Sequence, residues 1–137
     1  MNLGIWLGVR GRRTLALVGR TADGWVPSSH WAPPAKLPAF TAQIDDAATA
    51  VGRNPATIRR IYNAFRSIRE RGTDGFLQGT VEQWTDELTI LAVEHGIDSF
   101  VFGPADNPIR QTQVFAAEVA PAVHDAVARD RHAPGTA

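Results

Sequence analysis

Ile5-Trp6-Leu7-Gly8-Val9-Arg10-Gly11-Arg12-Arg13 is the stretch on which the reading of this chain turns. Ile5 to Gly8 is a short apolar run that ends on glycine, as a buried parallel strand does. Residues Arg12 to Arg20 then place Leu15, Ala16, Val18 and Gly19 on a short helix. A strand that runs through a glycine-containing turn into a helix is the opening half of a βα unit. Asp23-Gly24 makes the next turn, and Trp25-Val26-Pro27 is a second strand stopped by its proline.

The same alternation continues to the far end. Leu37, Phe40, Ile44, Ala47, Ala48 and Val51 fall at helical spacing, and Gly52 stands where a C′ glycine belongs. Asn54-Pro55 marks a turn before a third strand from Ile58 to Phe65. Thr80 with Gln83 is a capping-box pattern for a third helix. That helix carries Trp84, Leu88, Leu91 and Ala92 on one face and ends at Gly96. Ser99-Phe100-Val101-Phe102-Gly103 is a fourth strand. Asn107-Pro108 then serves as N-cap and N1 for a helix with Phe115, Val119, Val123 and Val127 along one side. Pro121 lies inside that pattern, so a kink or two shorter helices is expected. Four such units argue for an α/β fold with a parallel sheet. Either a small open sheet covered on both faces or half of a barrel covered on the outside satisfies the pattern. Residues 129–137, rich in Arg, Ala, Pro and Gly, read as a disordered tail after a domain spanning 1–128.

Composition narrows the partners. The 137 residues include 14 basic and 14 acidic side chains, so no net field attracts nucleic acid or an anionic membrane. Cysteine is absent, which removes disulfides, cysteine metal sites and cysteine nucleophiles. The N-terminus lacks a basic region and a long apolar stretch, and no uncharged run is long enough to span a bilayer. A cytoplasmic location is the expectation.

In parallel α/β proteins ligands bind at the C-terminal ends of the strands. That rule selects Gly8 to Arg13, Ser28 to Trp31, Arg66 to Gly79 and Gly103 to Asn107. In the first segment, glycines let backbone N–H groups approach an anion at a helix start, and arginines add charge. The bland alternative is that Arg10, Arg12 and Arg13 are solvated charges. Arginine at a helix N-terminus is unfavourable without an anion, which favours phosphate contact. His30 reads as a surface histidine, and His95 suits a helix C-terminus. The four histidines show no metal-ligand spacing, so no metal is expected. Trp6, Trp25, Trp84, Phe100 and Phe102 read as core. Asp45-Asp46 reads as a charge pair on an exposed helix face. Arg66 to Gly75 is either a mobile loop or a lid.

Several of these motifs share a resemblance. Ile5-Trp6-Leu7-Gly8 with Gly11 and Arg13, followed by Gly19-Arg20-Thr21-Ala22-Asp23-Gly24-Trp25, resembles the luciferase-like monooxygenase superfamily. So do Asn54-Pro55-Ala56-Thr57-Ile58-Arg59-Arg60-Ile61-Tyr62-Asn63, Gly75-Phe76-Leu77-Gln78-Gly79 and Glu82-Gln83-Trp84. Phe115 to Val123 is similar to that family's closing helix. The likeness runs from Ile5 to about Val127 with order and spacing kept.

It implies strands five to eight of a (β/α)8 TIM barrel, from an oxidoreductase or monooxygenase that uses FMN or coenzyme F420 on a small organic substrate. It also implies that Gly8, Val9, Arg10, Gly11 and Arg13 contact the cofactor phosphate, with Ser28 as the next polar contact. Arg12 stands where that family usually has proline, and Val9-Arg10 replaces residues that are usually small or aromatic. The first four strands, which the family uses for much of the ring pocket and the acid/base residues, have no counterpart in this sequence. Met1 sits almost against a core strand, so a fragment, a truncated reading frame or one half of a split protein is expected, inactive alone and prone to self-association or to docking of an N-terminal half. No catalytic residue is named. The rival reading is a non-catalytic α/β module that pairs with a partner chain or has lost its active site.

Overall fold

The computed structural model describes residues 3–135. The chain forms β1 (Trp6–Leu7), α1 (Arg12–Thr21), β2 (Gly24–Trp25), α2 (Leu37–Ala50), β3 (Arg59–Ala64), α3 (Val81–His95), β4 (Ser99–Phe102), α4 (Pro108–Val114) and α5 (Ala120–His132). The sheet order is β1-β2-β3-β4. The first three strands are parallel. β4 follows β3 in the same direction, through Asp98 N–H to the Arg60 carbonyl and Gly103 N–H to the Ala64 carbonyl. Strand and helix therefore alternate in the expected sequential order. β2 is shorter than the apolar pattern implied because Pro27 has no N–H for the ladder, though its carbonyl still accepts from Asn63 N–H at 2.9 Å.

The chain divides into two compact units, one running to Asn63 with Ile97–Val101, the other comprising Ala64–Gly96 and Phe102 onward. In the first, α1 and α2 meet at Gly19. A Cβ there would lie 2.3 Å from the Ile44 carbonyl oxygen and 2.9 Å from Ala48 N, so only glycine permits this approach. Gly52 closes α2 in the left-handed region, at φ 75°, as a C′ glycine does. The Arg53 guanidinium then reaches the last carbonyls of α1: Nη1 donates to Val18 O and Gly19 O, and Nη2 to Ala22 O. A cation at a helix C-terminus also complements its dipole.

Register sorts the side chains of this unit between two faces. Trp6, Gly24 and Arg59 are cross-strand neighbours, as are Leu7, Trp25 and Arg60. Ser28 bridges Asn63 in the same register. Side chains alternate along a strand, so Trp25, Arg60 and Tyr62 point one way and Trp6, Arg59, Ile61, Ser28 and Asn63 the other. The first face is helix-covered. Trp25 packs edge-on against Trp31 and Phe40, with centroids 6.4 and 6.0 Å away. Arg60 pairs with Asp45 of α2 at 2.5 Å, so Asp45 is not the solvated charge expected of it but the tie between helix and strand. Trp6 was expected in the core; it is 51% exposed. It lies on an edge strand, on the other face, with its ring over Gly24.

In the second unit, Trp84 packs against Phe102 and Phe115, and the two phenylalanines stack at 4.3 Å. Thr80 caps α3 by accepting from Gln83 N–H at 3.3 Å. Pro121 has the expected effect, since the last helix is divided into α4, a π-turn from Phe115 to Val119, and α5. Ala120 N–H bonds the Phe115 carbonyl, five residues back. The tail expected at 129–137 begins inside α5, which runs to His132 with Arg129, Arg131 and His132 in its last turn. Those cations suit a helix end. Residues 136 and 137 lie outside the described residues. No helix among the described residues is long and apolar enough to cross a membrane.

Candidate functional site

The segment between β1 and α1 lies at the C-terminal end of its strand, where βα loops gather. Its backbone is held from one side. The Trp25 indole Nε1 donates to the Val9 carbonyl at 2.8 Å, and Val26 N–H donates to Leu7 O at 3.0 Å. Trp25 is fully buried, so the indole is a rigid post for an otherwise surface loop. The sequence reading gave Trp25 only a core role. Its signal was the indole itself, which when buried needs a partner for its one N–H.

Gly11 is the N-cap of α1, and no side chain caps the helix there. Thr14 turns its hydroxyl back to the Gly11 carbonyl at 2.9 Å. The first N–H groups of α1 thus keep their positive end without a protein acceptor from Gly11. Around this helix start, Arg10, Arg12 and Arg13 are all exposed. None of the three makes an ion pair or side-chain hydrogen bond among the described residues, and the ion pairs formed use Arg59, Arg60 and Arg69 instead. An uncapped helix start with three unpaired guanidinium groups fits a phosphate.

Neither glycine of this loop is required by backbone conformation or close packing. Gly11 has φ −75° and ψ 146°, an extended conformation open to any residue, so its substitution strains no backbone. A Cβ there would meet only the Thr14 hydroxyl, at 3.2 Å, and one at Gly8 the Val26 carbonyl, at 3.4 Å. What the glycines provide is bare backbone beside the arginines.

Ser28 lies beyond β2 and is buried. Its hydroxyl accepts from His30 N–H at 3.4 Å, and its carbonyl accepts from Trp31 and Ala32 N–H. It belongs to the row of Asn63 rather than to the Gly8–Arg13 loop. At the starts of β3 and β4, Arg59 Nε bonds Asp98 Oδ1 at 2.9 Å, Arg59 Nη2 donates to Ser99 Oγ at 2.6 Å, and Asp98 Oδ2 accepts from Arg60 N–H at 2.8 Å. Burial pushes the Asp98 carboxyl up, but the Arg60 N–H, the Ser99 hydroxyl and the Arg59 guanidinium outweigh it and hold it below the usual carboxylate value. This network ties strand starts together and holds a carboxylate that is already paired.

In the second unit the backbone of the charged segment after β3 is held by side chains from elsewhere in the unit. Ile68 exchanges two hydrogen bonds with the Gln111 carboxamide, 2.7 Å to Oε1 and 2.9 Å from Nε2. Ser67 Oγ accepts from Ala105 and Asp106 N–H. Gln83 binds the Thr73 backbone on both sides and also the Gly75 carbonyl. Leu77, at φ 53°, has its N–H held by Glu87 Oε2 at 2.8 Å. A groove of about 640 Å³ in this unit is lined by Arg69, Glu70, Glu82, Asp106, Arg110 and Glu118 among others. Arg69 and Asp106 are paired at 2.9 Å. No group of His, Asp and Glu among the described residues is arranged to hold a metal.

No family model and no curated protein matches this chain, but solved structures do. A coenzyme F420-dependent tetrahydromethanopterin reductase from Methanopyrus kandleri superposes with a TM-score of 0.72 at 14% identity, covering 87% of this chain and 50% of that one. An F420-dependent secondary alcohol dehydrogenase, solved with an F420-acetone adduct, gives 0.73 at 15% identity, covering 90% and 49%. A riboflavin lyase, solved with modified FMN and riboflavin, gives 0.71 at 15% identity, covering 88% and 42%. These structures belong to the luciferase-like monooxygenase superfamily, whose fold the motif resemblance implied. At this identity the likeness shows the fold: an α/β chain of four successive βα units, spanning about half the length of the solved structures it matches.

Proposed function

We propose that this chain carries the cofactor-phosphate loop of a luciferase-like oxidoreductase that uses coenzyme F420 or FMN. The observation behind the proposal is the uncapped start of α1, with Arg10, Arg12 and Arg13 exposed and unpaired around it. Gly8, Val9 and Gly11 offer backbone to the phosphate, Arg10 and Arg13 offer charge, and Ser28 is a further polar contact. The neighbours' cofactors support the reading, since two are F420-dependent and one was solved with modified FMN. When bound, such a cofactor supplies the redox chemistry on its ring, and the protein binds and orients it.

Substrate turnover in this reading needs four further βα units. The chain matches about half of each neighbour, and its edge strands still expose Trp6 on β1 and, at 44%, Val101 on β4. Unpaired edges invite another strand. A complementary half or a second copy would cover them, and the cytoplasm would be its setting.

Titration of the chain with FMN and with F420, followed by fluorescence and repeated with Arg13→Ala, tests the loop. Loss of one charge-assisted bond is expected to weaken binding about tenfold or more. Inorganic phosphate should compete. Equal affinity of the variant, or no competition by phosphate, would overturn the assignment.

A further inference from the structure

The face of β3 opposite Arg60 and Tyr62 carries one feature that neither the loop nor the core explains. Asn63 is the fifth residue of β3, in the run Arg59-Arg60-Ile61-Tyr62-Asn63-Ala64. Asparagine is disfavoured in strands, and this strand pairs on both sides. Its backbone is fully engaged, with Asn63 N–H to Pro27 O and Ser29 N–H to Asn63 O, both at 2.9 Å. The residue is half-buried, and its carboxamide has no hydrogen-bond partner among the described residues. Register places it on the face of Ile61, with Ser28 as its cross-strand neighbour. That row is the last toward the C-terminal ends of β2 and β3, where an α/β protein meets its ligand.

We propose that the Asn63 carboxamide binds the imide edge of the cofactor's heterocyclic ring, which makes it a recognition residue for that edge. This rests on the reading of the chain as a flavin- or deazaflavin-binding protein. A carboxamide presents a donor and an acceptor side by side. A ring imide presents the complement, an N–H beside a carbonyl, and flavins and deazaflavins share this edge. Hydrophobic contact alone would not select for it. A strand position holds the carboxamide more rigidly than a loop would, which suits it to discrimination between closely related rings.

The test uses phosphate-free rings on the full chain: lumiflavin and 5-deazalumiflavin, each against its N3-methyl derivative. Methylation removes the imide N–H and leaves ring stacking in place. The wild-type chain is expected to prefer an unmethylated ring by about tenfold, as one buried hydrogen bond allows. Asn63→Ala is expected to lose that preference, and Asn63→Asp, which keeps an acceptor for the imide N–H but no donor for the carbonyl, to keep it. A ratio of affinities is insensitive to partial unfolding, and a thermal melt of each variant checks that it folds. Equal binding of both rings by the wild type, or a preference retained in Asn63→Ala, would overturn the proposal. Arg13→Ala separates it from the phosphate assignment: that variant should weaken FMN and leave lumiflavin unchanged. A preference for the unmethylated ring without any effect of Arg13→Ala would keep Asn63 and remove the phosphate loop. A chain that binds none of these rings, nor FMN, would overturn both.

Discussion

Two loops of this molecule look alike in sequence and behave as opposites. Gly8 to Arg13 and Arg66 to Gly79 each follow a strand, and each mixes glycine with arginine. In the second, the backbone is committed to the chain itself: Gln111, Gln83 and Glu87 bond it, and the loop's own Ser67 accepts from Ala105 and Asp106 N–H. In the first, Trp25 and Thr14 hold the Val9 and Gly11 carbonyls, while the arginines have no side-chain partner among the described residues. Charge and glycine content thus mark a strand-end loop without telling what its groups are for. The distinction lies in whether they already have partners. A segment whose hydrogen bonds close on themselves is architecture, and one with surplus donors is available to a ligand.

The largest effect should come from breaking the committed loop at its buried end. Gln111→Leu removes both partners of Ile68 and leaves its N–H and carbonyl buried without bonds. At about 1–3 kcal/mol for each of the two orphaned groups, a loss of roughly 2–6 kcal/mol is expected. Urea unfolding measures it, and limited proteolysis should then cut between residues 66 and 79. A variant with wild-type stability and resistance would mean that Gln111 does not order the loop, and the contrast between the two loops would fail.

Gln83→Ala acts on the same loop from α3. It removes bonds to Thr73 and Gly75 in a half-exposed setting, for an expected cost of about 1–2 kcal/mol. Here the sequence was half legible. Thr80 with Gln83 announced the helix start, and Thr80 does cap it. A capping box also sends the glutamine side chain back to the cap, whereas this one holds the loop before it. The local pattern gave the helix and could not give the tertiary use of the same residue. Gln111 lies 43 residues from Ile68, and Arg53 more than 30 from the α1 carbonyls it binds, so no periodicity could reveal either. The alternation of elements was readable because each βα unit is local. The Gly8–Arg13 segment was readable as a strand-end loop, but the unpaired state of its arginines was not. Asn63 went unnoticed because a strand motif names its residues without saying which face they occupy. Trp6 was misplaced for a related reason, since burial of an apolar strand residue depends on what covers that face.

A smaller effect is expected at the indole post of the other loop. Trp25→Phe keeps most of the buried ring and its contacts with Trp31 and Phe40 but removes the donor to Val9. The stability loss should be about 1 kcal/mol, near the net value of one hydrogen bond. Phosphate or FMN affinity should fall as well, because the carbonyl that the indole secures belongs to the candidate site. A loss of stability with unchanged affinity would separate Trp25 from the site and leave it a core residue only.

The smallest effect has the opposite sign. Arg12 and Arg13 sit in the first turn of α1, where the helix dipole is positive and no acidic residue offsets them. Their charges oppose the dipole and one another. Replacing either by glutamate should stabilise the free chain by about 0.3–1 kcal/mol at low ionic strength. The gain should shrink as salt is added, because these side chains are exposed and screening acts within about 10 Å at 0.1 M. In the committed loop the corresponding change runs the other way: Arg69→Glu would lose the pair with Asp106 and gain nothing. Thermal melts of Arg12→Glu, Arg13→Glu and Arg69→Glu at low and high salt read all three signs together. Stabilisation at positions 12 and 13 accompanied by weaker FMN binding is what a loop kept unfavourable for a ligand's sake would show. Destabilisation at Arg13 would mean that it has a structural partner in solution and that its charge is not held in reserve.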